Sequence, residues 1–356
     1  MKPFKNLYPK IYDFENLYHA YLSARKKKQY RPEVLAFSAN LEENLIELQN
    51  ELIYHSYKVG RYREFYVYEP KRRLVMALPF RDRVLQWAIY RVVQPLISKA
   101  YILDSYACIP GRGELASIQR LQYWTRLDCK TQRMYYLKLD MAKFYYRVDH
   151  KILLEILSKK IDDPELMQLL RTIVDSEDTP FGLPLCGNLK ESARQFDIGI
   201  PIGNLTSQMF ANLYMNELDQ FAKRTLRIRR YIRYMDDIII LSPSKILLHH
   251  YKTVLERFIN AKLHLALNRK TAIRPCSLGI DFCGYKIWPG YVKIRKSTAL
   301  RIKRHLKLVT EQYSDGQISL EKAEEIFTSY FGLLKHCDSY GLRKKISETY
   351  VLKRKT

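Results

Sequence analysis

The sequence predicts an α+β fold in which helices and antiparallel strands occupy separate stretches of the chain. Three observations carry this. Residues 14 to 58 and the tail from 297 repeat apolar residues at helical spacing. Met134 to Asp140 (MYYLKLD) alternates with the two-residue period of a strand. Tyr231 to Leu241 reads as strand, turn, strand, with two acids at the turn.

Taken in order, FENLYHAYLSARK and FSANLEENLIELQNELI form the first helices, the second with Leu41, Leu45, Leu48 and Leu52 on one side. Tyr62 to Tyr68 is a strand broken by Glu69-Pro70. Leu74 to Leu78 is its hairpin partner across the basic turn Lys71-Arg72-Arg73. A helix follows from about Arg81 to Lys99. In the strand at 134–140, Tyr136, Lys138 and Asp140 point one way and Tyr135, Leu137 and Leu139 the other. HKILLEILSKKI and PELMQLLRTIV are helices on either side of Asp162-Asp163-Pro164. The polar stretch 176–198 is a loop insertion, Thr206 to Lys223 a helix, and 244–263 another. Short strands cover 271–295. In the helical tail, Ser319 is a cap, and Glu321, Glu324 and Glu325 suit a positive helix N-terminus.

A length of 356 residues gives about two domains or subdomains. Hydrophobic residues at 47% exclude disorder throughout. Lys plus Arg number 61 against 37 Asp plus Glu, a net +24. Solubility alone would be served equally by negative charge, whereas excess cations with 28 tyrosines suit a nucleic-acid partner. Residues 284–356 alone carry 16 Lys plus Arg against 7 Asp plus Glu, which reads as either a solvated helix face or a surface gripping a phosphate backbone. No apolar run approaches the roughly 18 residues of a membrane span, and the N-terminus lacks the apolar core of a signal peptide. A cytoplasmic protein without a membrane partner is expected. Six cysteines without CxxC or zinc spacing read as reduced, mostly buried thiols.

Arg233-Tyr234-Met235-Asp236-Asp237 places adjacent acids between two strands, a rigid mount of the kind metal geometry requires. Asp140, ending another strand, is a third carboxylate. Acids at turns are ordinary. Three from neighbouring strands, however, can bridge two Mg²⁺ ions about 4 Å apart and so serve an in-line phosphoryl transfer.

These residues resemble the reverse transcriptase family. Tyr234-Met235-Asp236-Asp237 resembles its YxDD box, and LKLDMAKFYYRVDH (137–150) its motif A, with Asp140 as the catalytic acid. GIPIGNLTSQ (199–208) is similar to motif B, FRDRVLQWAI (80–89) to the upstream fingers motif, LNRKT (267–271) to motif D, and LGIDFCGYKI (278–287) to the primer grip. Six boxes in the family's order span roughly 60 to 290. Ile202-Gly203 and Ser207-Gln208 stand where relatives of group II introns usually carry Gln-Gly and Ser-Pro. With NLY…FENL…AYLSARKKKQYRPEVLAF, this resembles the reverse transcriptases of diversity-generating retroelements. Those enzymes copy a template-repeat RNA with errors at adenines, helped by a small basic accessory protein. Antiphage-defence enzymes and an orphan group II maturase stay as alternatives, as does a binding module without turnover. The end at 356 leads to the expectation that no maturase endonuclease region follows.

The resemblance implies a right-hand polymerase: N-terminal helices and fingers over 1–130, an antiparallel-sheet palm over 131–290 with a fingers insertion at 150–198, and a helical thumb over 291–356. It implies an RNA template, a cDNA or primer strand, dNTPs, and two Mg²⁺ ions with Mn²⁺ as a stand-in. Asp140 and Asp236 would be metal ligands, Asp237 a third member of the metal site contributing more through its field than by direct ligation, and Met141 a carbonyl donor. Lys71 and Arg73 would meet the triphosphate, Arg81 either the templating base or a structural acid. Tyr145, five positions after Asp140, matches the gate that rejects a ribose 2′-OH. Tyr234, Gly203, Gln208 and Gly284 would line the substrate, Gly284 allowing close approach of the primer. Lys270 would protonate the leaving pyrophosphate. Ile202 offers only shape where Gln would offer a contact worth about 1 kcal/mol, a loss expected to loosen base selection several-fold.

Overall fold

The computed structural model describes residues 3–68, 72–175, 180–184 and 194–354. Buried apolar residues about one turn apart build the N-terminal helices α1 (Tyr8–Tyr12), α2 (Phe14–Arg25), α3 (Pro32–Ala39) and α4 (Leu41–Ile53). Asp13 caps α2 by accepting from the Asn16 amide, and Pro32 opens α3. Strands β1 (Arg63–Val67) and β2 (Arg73–Ala77) form the expected antiparallel hairpin. Arg73 is the first residue of β2, opposite Val67, rather than part of a turn; Lys71 lies outside the described residues. Helix α5 (Phe80–Ile97) then packs on α2.

Helix α6 (Glu114–Asp128) has no counterpart in the sequence reading. Its buried Ile118, Leu121 and Trp124 make a narrow stripe on an otherwise polar segment. Strand β3 (Tyr135–Asp140) follows, then α7 (His150–Ser158) and α8 (Pro164–Val174), capped by Asp149 and Asp163. The Asp163 carboxylate also accepts from the Leu7 and Tyr8 amides at 2.6 and 3.0 Å, tying the chain start to α8. The expected loop insertion lies partly outside the described residues; within them Gly182 bridges Gln195. Helix α9 (Leu205–Gln220) leads to β4 (Tyr231–Tyr234), β5 (Asp237–Ser242), α10 (Lys245–Leu263) and β6 (Ala272–Pro275). Strands β7 (Ile280–Phe282), β8 (Tyr285–Ile287) and β9 (Val292–Ile294) precede the tail helices α11 (Lys296–Ser314), α12 (Leu320–Leu334) and α13 (Tyr340–Thr349).

The antiparallel sheet runs β4-β5-β3-β6. Its alternation sends Leu137, Leu139, Ile238 and Ile240 into a core shared with α2, α4, α5 and α9. Tyr136, Ile232, Ile239 and Leu241 go the other way, onto Ile280, Phe282, Tyr285 and Ile287 of the β7-β8-β9 sheet and onto α6. A central sheet packed on both faces is stiff at its centre, and each fully buried Leu or Ile contributes about 1.5–3 kcal/mol. The tail helices have their own small core of Ile302, Leu306, Leu334 and Ile346. Ser319 caps α12 as expected, accepting from the Lys322 amide. The five described cysteines are free; only Cys276 is fully buried, and Cys108 is exposed, so the thiols are less buried than expected. Among the described residues no helix is long and apolar enough to cross a membrane.

Candidate active site

Tyr234 pairs with Asp237, so β4 and β5 are joined by just Met235 and Asp236. Met235 takes φ +55°, a backbone region that costs a bulky residue roughly 1–3 kcal/mol and persists only where the surroundings impose it. Arg233 is what imposes it. Fully buried in β4, its guanidinium pairs with Asp219 of α9 at 2.7 Å and donates to the Met235 carbonyl at 3.0 Å and to Asn212 at 3.1 Å. Tyr231 donates to the same Asp219 at 2.7 Å. The turn is therefore anchored to the helix behind it.

Register then gathers the acids. Asp140 lies directly opposite Asp237, so both project from the same face, and Asp236 sits in the adjoining turn. Burial raises the Asp236 carboxyl to about 6; the Asp140 and Asp237 charges add to this, while its own backbone amide and Arg73 oppose it. Among the described residues neither Asp140 nor Asp236 has an ion pair or a hydrogen bond with another side chain. Asp237 differs: burial raises it, but the Lys138 ammonium lies 2.9 and 3.0 Å from its two oxygens. No three His, Cys, Asp or Glu side chains among the described residues converge on one cation position. Asp140 and Asp236, two nearby carboxylates without an ion pair among the described residues, nevertheless supply the hard oxygen donors that fit a divalent cation. Met141, buried next to Asp140, bridges Leu267.

Several predicted residues surround this corner. Burial pushes the Tyr145 phenol up, with the charges of Cys108, Asp236 and Tyr234 adding and Arg73 opposing, so Tyr145 and Arg73 both lie within the field of Asp236. The Ile200 amide donates to the Tyr145 carbonyl at 2.8 Å, locking residues 199–208 to this segment. Ile202 is half-buried beside Tyr145, Tyr62 and Phe181, and its carbonyl accepts from the Met76 amide at 2.9 Å. Gly203, at φ +130°, lies so close that a Cβ would fall 2.7 Å from the Met76 carbonyl oxygen; no side chain fits there. Gln208 is half-buried in the first turns of α9. Burial raises Tyr234 to about 12, and its ring stands edge-on to Phe282. Gly284, at φ +77°, turns β7 into β8.

Other residues stand apart. Lys270 is exposed and lines a cleft of about 320 Å³ with Tyr136, Lys138, Arg274, Asp281 and Arg295. Arg81 is committed to an ion pair with Glu51 of α4 and lies 5.3 Å over the Tyr57 ring, the structural alternative for this residue. Lys71 is outside the described residues. Sequence reasoning missed Lys138, Arg233, Asp219 and Cys108. A lone Arg in the apolar run YIRY was a signal for the second; a Lys on the Asp140 face of its strand was one for the first.

The E. coli K12 protein YkfC is 23% identical over 285 residues, 70% of this chain and 72% of its own length. An uncharacterized 91 kDa protein in the cob intron of Schizosaccharomyces pombe is 26% identical over 152 residues, 42% of this chain and 17% of that protein. A putative COX1/OXI3 intron 2 protein of Saccharomyces cerevisiae is 19% identical over 64% of this chain and 33% of that protein. The chain thus spans a minor part of both intron proteins. Telomerase structures from Candida albicans, in complex with a telomeric RNA fragment, and from Candida tropicalis superpose with TM-scores of 0.46 and 0.47. Their identities are 13% and 16%, over 82% and 66% of this chain and 55% of each of theirs. The model of the family "Reverse transcriptase (RNA-dependent DNA polymerase)" matches residues 68–287, more than half of the chain, which therefore belongs to that family and has its right-hand α+β fold.

Proposed function

We propose that this chain copies an RNA template into cDNA, with errors concentrated at template adenines, as the polymerase of a diversity-generating retroelement. The observation that carries polymerisation is the closeness of Asp236 to Asp140, neither ion-paired with a described side chain, beside Asp237 at the tip of a packed sheet. Asp140 and Asp236 would hold Mg²⁺, with the Met141 carbonyl beside them and Asp237 acting through its field. Bound there, Mg²⁺ supplies charge stabilisation for the attacking and leaving oxygens. Arg73, with Lys71, orients the triphosphate. The Tyr145 ring fills the space a 2′-OH would need. Tyr234 and the Gly284 turn hold the primer end, and Ile202, Gly203 and Gln208 bound the nascent base pair. Lys270 donates a proton to the departing pyrophosphate. Fingers over 1–130, palm over 131–290 and thumb over 291–356 would close around the duplex.

The mutagenic part of the reading is supported by the apolar Ile202, which offers no polar group to the base pair, and it includes a small basic accessory protein. The intron proteins among the relatives favour a second setting, a group II-type maturase. Primer extension on an adenine-containing RNA with Mg²⁺, beside Asp236→Asn, tests both. Synthesis lost in the variant, with errors clustered opposite adenines, supports the proposal. Accurate cDNA made with the accessory protein present moves the assignment to the maturase setting. Imperfect genomic repeats differing at adenines would mark the retroelement.

A further inference from the structure

Lys138 has no part in the roles above, yet its ammonium makes two hydrogen bonds and an ion pair. It stands two residues before Asp140 on the same face of β3, with its side chain 20% exposed. Its ammonium donates to Asp237 Oδ2 and to the Asp281 carbonyl, each at 3.0 Å, and lies 2.9 Å from Asp237 Oδ1, a buried oxygen without a hydrogen bond among the described residues. Two of the three ammonium protons are thus placed, one on each residue. The line continues beyond Asp281. That residue's carboxylate accepts from Arg295 at 3.1 Å, and Arg295 immediately precedes α11. The Arg295 amide in turn donates to the Gly284 carbonyl at 2.9 Å. A continuous chain of polar bonds thus runs from the catalytic hairpin, through Lys138, to the β7–β8 turn and the root of the tail helices.

Two consequences follow from the chemistry of this chain. Asp237 and Asp236 are neighbours that both lie within the field of Asp140, but only Asp237 has an ammonium against it. A carboxylate held by an ammonium weakens that contact if it turns to a metal. The second consequence is geometric. The β7-β8-β9 sheet packs on the central sheet through apolar side chains, which resist separation but slide more easily than directed bonds. Lys138 supplies the directed bond next to the acids.

We infer that Lys138 is a positioning residue that keeps Asp237 out of the metal-ligand set and fixes the β7–β8 turn relative to Asp140 and Asp236. The inference rests on the polymerase reading for its functional meaning, though its metal-binding half does not. The test uses the full chain, with Mn²⁺ binding followed by electron paramagnetic resonance and single-nucleotide extension on an RNA–DNA hybrid. Lys138→Met is expected to tighten Mn²⁺ binding about tenfold, because Asp237 is released. The maximal extension rate is expected to fall about 100-fold, with the dNTP KM and hybrid Kd within threefold of the parent. Lys138→Met/Asp237→Asn returns Mn²⁺ affinity to the parent value. Lys138→Arg, which keeps the cation, holds Mn²⁺ affinity near the parent. A variant that merely loosens the fold would not tighten a metal.

Unchanged Mn²⁺ affinity and rate in Lys138→Met overturn the inference. If Lys138→Met loses its cooperative melt, Asp237→Asn decides alone: Mn²⁺ affinity within threefold of the parent supports the inference, and a tenfold loss overturns it. A parent chain that makes no cDNA, yet shows the predicted Mn²⁺ responses, would remove the polymerase reading and leave Asp237 withheld by Lys138.

Discussion

Asp236 is the residue at which stability and proposed chemistry oppose each other. Its carboxyl is raised to about 6 by burial first and by Asp140 and Asp237 next, so its charge is a burden on the metal-free fold. Replacing it with the neutral isostere lifts that burden. Asp236→Asn is expected to raise the metal-free melting temperature by about 2 °C while reducing primer extension at least about 10³-fold. Calorimetry in the presence of a chelator reads the first, and a lower midpoint would mean that the acid is structurally satisfied. Ile202 poses a different question, because its main chain is held by Met76 while its side chain is only half-buried. A polar side chain at this position keeps the backbone bond. Ile202→Gln is therefore expected to fold and to reduce misincorporation at template adenines several-fold, as read by sequencing the cDNA. An unchanged error spectrum would leave Ile202 without a part in base selection.

At the scale of elements, the β4–β5 hairpin depends on a buried pair it contributes only half of. Arg233 and Asp219 are both 0% exposed, and removing one partner strands the other charge. Asp219→Ala is expected to cost about 3–5 kcal/mol in chemical denaturation, and Arg233→Met/Asp219→Leu far less, since well-packed apolar replacements of buried pairs are often neutral. Equal losses in the two variants would show that packing, rather than the stranded charge, sets the cost. The same hairpin shows what the sequence made legible. Two apolar runs separated by Met235-Asp236 specify a two-residue turn locally, and alternation along β3 puts Lys138 and Asp140 on one face. Hydrophobic periodicity is a local signal, so most elements were readable from it. The partners of Lys138 and Arg81 were not, because they depend on which strand neighbours β3 and on Glu51 thirty residues before Arg81. Helix α6 escaped for a different reason: three buried apolar residues on a polar segment fall short of the broad stripe that signals a helix.

For the whole molecule, a net charge of +24 matters less than where the cations stand. In α11, Ile302, Leu306 and Val309 turn inward to the tail-helix core, which leaves Arg304 exposed and Lys303 half-exposed on the other side. This separation of faces is what a surface gripping a nucleic-acid backbone needs, and it is equally what a solvated helix displays. Salt dependence distinguishes them. Each phosphate neutralised on a single strand contributes about 0.7 to the slope of log affinity against log salt. If Lys303 and Arg304 each meet a phosphate, Lys303→Ala/Arg304→Ala will weaken RNA binding and flatten that slope by about 1.4, with thermal stability unchanged because neither side chain belongs to the core. A weaker affinity at an unaltered slope would place these side chains on bases or sugars. An unaltered affinity would make the outer face of α11 a solvated one, and the positive charge elsewhere on the chain would have to supply the grip.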